Sequence, residues 1–259
     1  MPLLNFFKGK GNVLYYPGCL TKHVLNAELE NYKNILNRLR VDFIMLPDEL
    51  CCGSPALNAG YETDARKLAR KNMELFKQHS VKKIITNCPA CFKVFSQDYG
   101  EMMPDWDIKT EHIVFTILNA LEKEQRAIVK KNDERITYHD PCHLGRHCGI
   151  YEEPRLILEL LGYEIVEMTN NRENAFCCGG GAGLKANNPE LAANIAKRVI
   201  KQAKDAGVSK IITTCPLCFA HLAESSDAGI EIQEFSYAVA EALGLKAERV
   251  ERIGINKNA

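Results

Sequence analysis

Short apolar runs recur along the chain, each bounded by polar or turn-forming residues. Runs of this length and composition are typical of buried β-strands. The predicted strands are residues 12–16, 41–46 and 83–86 in the first half of the chain, and residues 135–138, 163–168 and 210–213 in the second. The hydrophobic pattern therefore predicts three strands in each half.

The segments between the predicted strands carry apolar residues at helical spacing. Residues 27–40 and 189–206 are the clearest cases, with Pro189 suited to a first helical turn. One face of each holds the apolar positions: Leu29, Tyr32, Ile35, Leu36 and Leu39 in the first, and Leu191, Ile195, Val199 and Ala203 in the second. Helices are also predicted at residues 63–79 and 154–161. Strands that alternate with helices are typical of an α/β protein with a parallel sheet covered on both faces.

The chain carries the same pattern twice. KIITNCPACF at residues 83–92 returns as KIITTCPLCF at residues 210–219. Of the 11 cysteines, all but one fall into two sets of five, each a single Cys, a Cys-Cys-Gly and a Cys-Pro-x-Cys. The intervening residues number 31, 35 and 2 in the first set, and 34, 36 and 2 in the second. We infer an internal duplication and predict two tandem domains, residues 1–128 and 129–259, divided in the charged stretch 121–134.

Composition narrows the class of protein. The 259 residues contain 33 Lys plus Arg and 33 Asp plus Glu, so no net charge favours nucleic acid or an anionic membrane. No apolar run approaches the roughly 18 residues of a membrane span, and MPLLNFF before Lys8 is too short for a signal peptide. We therefore expect a soluble, cytoplasmic protein with no direct membrane insertion. Thiols stay reduced in that compartment, so disulfide bonds are not expected.

Each cysteine motif follows a predicted strand. The carboxyl ends of parallel strands meet at one edge of a sheet, which is where open α/β proteins place their sites. Five sulfurs in each half could therefore converge, although the outermost are far apart in sequence.

Four interpretations of such a set of thiols compete. Buried structural cysteine does not explain the repeated spacing, and structural zinc uses four ligands, typically as two C-x-x-C pairs. A thioredoxin-like dithiol accounts for Cys88 and Cys91 at a helix start but leaves three sulfurs without a role. An iron–sulfur cluster uses thiolates in quantity, and an adjacent Cys-Cys suits a sulfur that bridges two irons. The residues favour the cluster and leave the dithiol open.

The motifs resemble those of the cysteine-rich CCG-domain family, represented by the B and D subunits of heterodisulfide reductase. YHDPCHLGRH at residues 138–147 and RENAFCCGGGAGL at residues 172–184 look especially like the D subunit. The resemblance covers almost the whole chain. It implies two tandem, homologous, Rossmann-like CCG domains, each a small parallel sheet flanked by helices, related by pseudo-two-fold symmetry.

The resemblance also implies a cofactor and its ligands. Each CCG motif of the B subunit binds a non-cubane 4Fe-4S cluster, so this chain is expected to hold two. The implied ligands, which are also the implied catalytic residues, are Cys19, Cys51, Cys52, Cys88 and Cys91 for one cluster and Cys142, Cys177, Cys178, Cys215 and Cys218 for the other. Gly53, Gly179 and Gly180 are expected to let backbone N–H groups approach the cluster sulfurs. Cys148 aligns with Leu25 of the first repeat and is expected not to be a ligand.

By the same resemblance, the chain is an oxidoreductase acting on a sulfur group, a heterodisulfide reductase-like protein in which two clusters reduce a small-molecule disulfide by homolytic cleavage. No ferredoxin-like segment is seen before Cys19, so a separate small iron–sulfur protein, like the two-cubane C subunit of that enzyme, is the expected electron donor. A flavoprotein and a b-type cytochrome are further candidate partners, which would place the protein at the periphery of a membrane complex. Lactate, glycolate and glycerol-3-phosphate dehydrogenase relatives keep open a second class, an electron-transfer component of a flavin-dependent dehydrogenase.

Three histidines flank Cys142, namely His139, His143 and His147. Their spacing of four could place metal ligands on one helix face, but Pro141 and the turn around it argue against a regular face. Surface or supporting roles are expected, with proton delivery to a leaving thiolate as the lesser hypothesis.

Overall fold

Strands and helices alternate through both halves of the chain. The structure is a computed structural model that describes residues 11–226 and 229–248. The predicted domains begin at residue 1 and end at residue 259, and both limits lie outside the described residues. The residues before Lys8, considered above as a possible signal peptide, also lie outside them.

The first half builds a small parallel sheet with helices on its faces. Its strands are β1 (Asn12–Tyr15), β2 (Val81–Thr86) and β3 (Lys109–His112). Its helices are α1 (Cys19–His23), α2 (Asn26–Arg38), α3 (Ser54–Asn58), α4 (Glu62–Gln78), α5 (Pro89–Lys93), α6 (Tyr99–Met102) and α7 (Ile113–Lys123). A π-helical turn, Val94–Asp98, joins α5 to α6. Among the described residues, the strand order is β1–β2–β3, and both pairings are parallel.

The second half repeats this arrangement. Its strands are β4 (Arg135–Tyr138), β5 (Glu164–Ile165), β6 (Lys210–Thr213) and β7 (Glu231–Glu234). Its helices are α8 (Glu152–Leu160), α9 (Leu184–Asn187), α10 (Pro189–Asp205), α11 (Pro216–Ser225) and α12 (Phe235–Ala242). Short 3₁₀ turns lie at Gln125–Ala127 and Arg172–Asn174. Over residues 135–226 and 229–234 the strand order is β5–β4–β6–β7, again with parallel pairings.

The predicted α/β architecture, with parallel sheets flanked by helices and repeated along the chain, is confirmed. Strands β1, β2, β4 and β6 and helices α2, α4, α8 and α10 all lie where the hydrophobic pattern predicts them, within a few residues. In both halves the central strand is the KIIT run, which is buried on both faces because helices cover it.

The second predicted strand of each half is wrong in length. Residues 41–46 form only an isolated parallel bridge between Ile44 and Leu14. Pro47 has no N–H and restricts the residue before it, so the ladder cannot extend further. The matching prediction, residues 163–168, shortens to β5. These are edge positions, and a short edge strand leaves little unpaired backbone exposed.

Strands β3 and β7 and the helices that follow them, α7 and α12, were not predicted. Their sequences, KTEH and EIQE, contain few apolar residues because each strand lies at a sheet edge and is only partly buried. Each nevertheless pairs with the central strand of its half and leads directly into a helix. The repeat unit is therefore longer than the cysteine spacing indicates.

One hydrophobic core runs through both halves. Helix α2 packs against α12, and Ile35 and Leu36 of α2 belong to the same buried cluster as Ala238 and Val239 of α12. Two smaller clusters lie under α4 and α10, and each includes cysteines of one set. Within the described part of the chain, no helix combines the length and apolar character needed to cross a membrane.

Candidate metal centres

The first set of cysteines lies at the carboxyl edge of the first sheet. Cys19 begins α1 shortly after β1, while Cys88 precedes α5 and Cys91 lies in the first turn of that helix. Cys51 and Cys52 lie in the loop before α3. The three segments meet because the strands that carry them run parallel.

Interactions between neighbouring thiols link the sulfurs of each set into a chain. In the first half the order is Cys19, Cys51, Cys52, Cys91 and Cys88. In the second half the order is Cys142, Cys177, Cys178, Cys218 and Cys215. The structure thus brings the predicted cysteines into two groups with the same internal order.

The first sulfur of each adjacent Cys-Cys pair is stabilised as a thiolate. The thiols of Cys19 and then Cys52 donate to Cys51 and, with the Gly53 N–H, lower the Cys51 pKa to about 2. The same arrangement in the second half, with Cys142 as the main donor, lowers the pKa of Cys177 to about 2. Each set therefore concentrates negative charge on sulfur, which a metal would neutralise.

The glycines after the paired cysteines turn their backbone N–H groups onto sulfur. Gly53 and Gly179 donate to Cys51 Sγ and Cys177 Sγ, each at 3.4 Å. Gly180 donates to Cys178 Sγ, also at 3.4 Å. Gly53 and Gly179 have φ values of +92° and +86°, which favour glycine.

Gly18 also shapes the first site, although no sequence motif marks it. Its φ is +78°, and a Cβ at this position would lie 3.2 Å from Cys91 Sγ and 3.2 Å from Cys88 Cβ. Glycine is therefore required for close approach of the α1 turn to the α5 cysteines.

Buried polar side chains anchor the Cys-Cys-Gly loop of the first half. Asn72 on α4 donates to the Cys51 carbonyl at 3.0 Å, and its side-chain oxygen accepts from the Leu50 N–H at 3.3 Å. The Tyr99 hydroxyl donates to the Cys52 carbonyl at 3.1 Å. These bonds fix the backbone on which the paired sulfurs depend.

A buried ion pair performs the same task in the second half. Arg155 on α8 binds Asp140 through two bonds, of 2.7 and 2.8 Å, and both side chains are 3% exposed. Asp140 also accepts from the Arg172 N–H at 2.8 Å. The pair joins the loop that carries Cys142 to the loop that leads to Cys177. Sequence reasoning missed it because the partners lie on different elements.

His139 is buried beside the second set, not on the surface. It is 1% exposed, and neither ring nitrogen has a hydrogen-bond partner among the described residues. A ring nitrogen of His139 and the sulfurs of Cys178 and Cys218 all lie within 4.8 Å of one another. Burial lowers the pKa of His139 to about 4, against the opposing effects of Asp140 and Cys177, so the ring is neutral at pH 7.

The other two histidines lie where the second site meets the first half. His143 Nδ1 lies 3.5 Å from Cys142 Sγ, and its ring stacks on His147 at 4.9 Å. Gln97 of the first half donates to the His147 carbonyl at 3.1 Å and to Cys148 Sγ at 3.8 Å. Cys148 therefore packs at this junction.

Each group of cysteines has one member on a helix that takes part in the contact between the halves. Helix α1, which begins with Cys19, contacts α11, which contains Cys218. Of the ten, only Cys19 is exposed, and Cys52, Cys91 and Cys178 are among those fully buried. Solvent therefore reaches the first site most readily at Cys19.

The donor set fits an iron–sulfur group. Each group presents five sulfurs, one more than structural zinc takes, and such clusters are held by cysteine thiolates. The unpartnered imidazole of His139 beside the second group is a further polar atom directed at such a site.

Comparison with known families places these motifs in context. The profile of the family described as a cysteine-rich domain (CCG) matches the chain twice, over residues 13–96 and 136–223. Each matched span contains one complete set of cysteines.

Curated relatives include several redox proteins. The D subunit of the dihydromethanophenazine:CoB–CoM heterodisulfide reductase of Methanosarcina acetivorans is 36% identical over 251 residues, which are 92% of this chain and 61% of that protein. The EtfAB:quinone oxidoreductase of Syntrophomonas wolfei is 30% identical, over 89% of this chain and 34% of that protein. The B subunit of the fumarate reductase (CoM/CoB) of Methanothermobacter marburgensis is 32% identical, over 82% and 41%. The chain spans 61% or less of the length of these relatives.

Proposed function

Because the chain belongs to the family of cysteine-rich CCG domains, we propose that it is the disulfide-reducing, iron–sulfur subunit of a larger oxidoreductase complex. The observation that supports this most is the pair of complete five-sulfur groups, one in each half of the chain. The similarity to the D subunit of a heterodisulfide reductase supports the same assignment.

The proposed cofactors are two non-cubane 4Fe-4S clusters. Their ligands would be Cys19, Cys51, Cys52, Cys88 and Cys91 in the first site and Cys142, Cys177, Cys178, Cys215 and Cys218 in the second. Bound there, the clusters supply one-electron transfer at thiolate-ligated iron. Gly53, Gly179 and Gly180 stabilise the sulfur charge through their N–H groups, and Cys148 is proposed to remain a non-ligand.

The proposed substrate is a small-molecule disulfide, which takes up two electrons and two protons and leaves as two thiols. Two sites in one chain suit this substrate, because each could receive one of the two sulfurs that separate. His143, whose Nδ1 lies beside Cys142 Sγ, is placed to hold a proton for one product thiol.

The proposed electron donor is a separate small iron–sulfur protein of the ferredoxin type. A flavoprotein and a b-type cytochrome are further candidate partners, and the proposed location is the cytoplasm or the periphery of a membrane complex. The chain's similarity to subunits of named reductases supports a multi-subunit assembly.

Anaerobic reconstitution followed by iron, sulfide and EPR analysis tests the cofactor. We expect about eight irons per chain and no stoichiometric zinc, because each set would hold one four-iron cluster. Full occupancy by zinc alone would contradict the proposal. Disulfide turnover is then measured with an artificial one-electron donor, and it should vanish when either set of cysteines is replaced by serine.

The second candidate is an electron relay to a flavoprotein dehydrogenase. The similarity to an EtfAB:quinone oxidoreductase favours it. Both candidates predict the same iron content, so turnover must separate them. Electron transfer to a flavoprotein, without any disulfide reduction by the iron-loaded chain, would support the relay.

A further inference from the structure

The two halves place different side chains at one equivalent position beside the cysteines. The Tyr16 N–H donates to the Ile85 carbonyl at 2.8 Å, and the His139 N–H donates to the Ile212 carbonyl at 2.9 Å. Each residue directly follows the first strand of its half and precedes the single Cys by three positions. Tyr16 and His139 are therefore structural counterparts.

The polar atom of Tyr16 is satisfied by the protein itself. Its hydroxyl donates to the Leu50 carbonyl at 2.6 Å, and its ring packs edge-on against Phe95 at 4.9 Å. Tyr16 thus presents an apolar ring to the first set of cysteines. Its one side-chain donor, the hydroxyl, is already bound to the Leu50 carbonyl.

The imidazole of His139 has no such partner among the described residues. A neutral imidazole always carries one N–H, and burying that donor without an acceptor is unfavourable. The ring lies against Cys178 and Cys218, where the second set gathers its sulfurs. An unpartnered donor in this place indicates that its acceptor belongs to the group the cysteines hold.

We propose that His139 donates a ring N–H to a sulfur of the group held by the second set of cysteines, and so makes that site easier to reduce than it would be without this bond. This inference rests on the proposal that both sets hold iron–sulfur clusters. Hydrogen bonds to cluster sulfurs raise the reduction potential, because they stabilise the added negative charge. His139 would thus be a positioning residue that acts through the sulfur accepting its N–H.

An EPR-monitored redox titration of anaerobically reconstituted protein tests the proposal. It compares the unchanged chain with His139→Phe, which removes the donor, and His139→Gln, which keeps an N–H. The unchanged chain and both His139 variants are also prepared with Cys88→Ser and Cys91→Ser. These two replacements disable the first site, so that the second site is observed alone. We expect a more negative midpoint potential for the Phe variant, a smaller shift for the Gln variant and unchanged second-site iron in both.

Tyr16→Phe is the matched control, because it alters the equivalent position of the other half. It should leave the second-site potential unchanged. An unchanged potential in His139→Phe, or equal shifts in the Phe and Gln variants, would overturn the donor role. Loss of second-site iron in both His139 variants would also overturn it, because His139 would then be a ligand.

Histidine labelled with nitrogen-15 gives a second measurement that needs no cysteine substitution. The set of weak nitrogen hyperfine couplings should be the same in the otherwise unchanged chain and in Tyr16→Phe, and should lose one member in His139→Phe, where His143 beside Cys142 remains. An unchanged set of couplings in His139→Phe would overturn the inference. Iron content separates the two levels of failure: an unchanged chain that binds no iron refutes the proposed function, whereas iron with no effect of His139 refutes this inference alone.

Discussion

Cys52 and Cys178 hold the central position in the chains of contacting sulfurs. Each contacts the cysteine before it and the second cysteine of the Cys-Pro-x-Cys motif. The sequence shows which cysteines repeat but not which sulfurs touch, because the contacts depend on how three loops approach one another. The sequence did not indicate Gly18 for the same reason. Glycine is required there because a side chain would approach Cys91, which lies on a different loop.

Replacing Cys178 by Ser should remove most of the iron from the second site and leave the first site loaded. The central sulfur contacts two others, so its loss divides the set. Iron analysis and EPR of the reconstituted protein measure this. Cys148→Ser is the control, because Cys148 packs against Gln97 at the junction. Equal iron loss in both variants would contradict the assignment of Cys148 as a non-ligand.

Gly18→Ala should lower the iron content of the first site. The added methyl group would lie 3.2 Å from Cys91 Sγ, and the positive φ adds about 1 kcal/mol of strain. Gly60→Ala is the matched control, since φ is +83° there but no atom lies within 4 Å of the added carbon. Gly18→Ala, with φ +78° and ψ 159° and a close contact, should lose at least as much stability in urea as Gly60→Ala, and it alone should lose iron. Full iron in Gly18→Ala would refute the close-approach argument.

Among the elements, buried strands and amphipathic helices were predictable and the sheet edges were not. The KIIT run lies inside its sheet and is buried, so its residues are mostly apolar and the strand can be predicted from the sequence. Residues 41–46 are as apolar, yet they pack as an irregular edge with one bridge. Conversely, β3 is polar and still pairs along its length. Edge strands depend on neighbouring backbone more than on their own side chains, so local pattern does not reveal them.

Helix α8 holds the Cys142 loop through Arg155, so Arg155→Met should be strongly destabilising. Its loss leaves Asp140 buried without its ion-pair partner, which costs about 3–5 kcal/mol in free energy of unfolding. Equilibrium urea denaturation measures the change. The control is Arg135→Met, which breaks the exposed pair with Glu164 and should cost about 1 kcal/mol or less. Similar costs for the two variants would show that the buried pair has no anchoring role.

At the scale of the whole molecule, the two halves share a core that the repeat pattern did not predict. The Tyr32 hydroxyl on α2 donates to Glu234 Oε1 at 2.7 Å, directly before α12. Glu234 also accepts from the Ser236 N–H at 2.6 Å. Periodicity shows that two helices each have an apolar face, but it does not show that the faces belong together. The division of the chain at residue 128 therefore remains a proposal. It describes where the duplicated sequence and its set of cysteines begin again, not two separate cores.

The stability of the molecule should depend on pH through Glu234. Burial, then the neighbouring Glu28, raises the pKa of Glu234 to about 7 from a reference value of 4.5. Its contribution is therefore fully present below about pH 4.5 and is lost as the pH rises towards 7, by up to about 3 kcal/mol. Glu234→Gln should match the unchanged chain near pH 4.5 and exceed it in free energy of unfolding at pH 8.

Urea denaturation at both pH values measures this difference. Glu124→Gln is the control, because Glu124 is exposed on the surface and should leave the pH dependence unchanged. A Glu234→Gln variant that is less stable than the unchanged chain at pH 8 would mean that the charged carboxylate is favoured by its partners.

The contact between α2 and α12 also sets an order of events during synthesis. Tyr32 and Glu234 are 202 residues apart, and ribosomes add about 5–20 residues per second, so about 10–40 s separate their translation. During this interval α2 lacks the packing that α12 provides, although Tyr32 can already pack on Tyr15. The first five cysteines and the apolar cluster under α4 are then complete in sequence, whereas the core shared by the two halves is not. Iron delivered while the chain is still nascent would meet a first site supported by its own cluster alone, so the fold favours stable loading after α12 has been added.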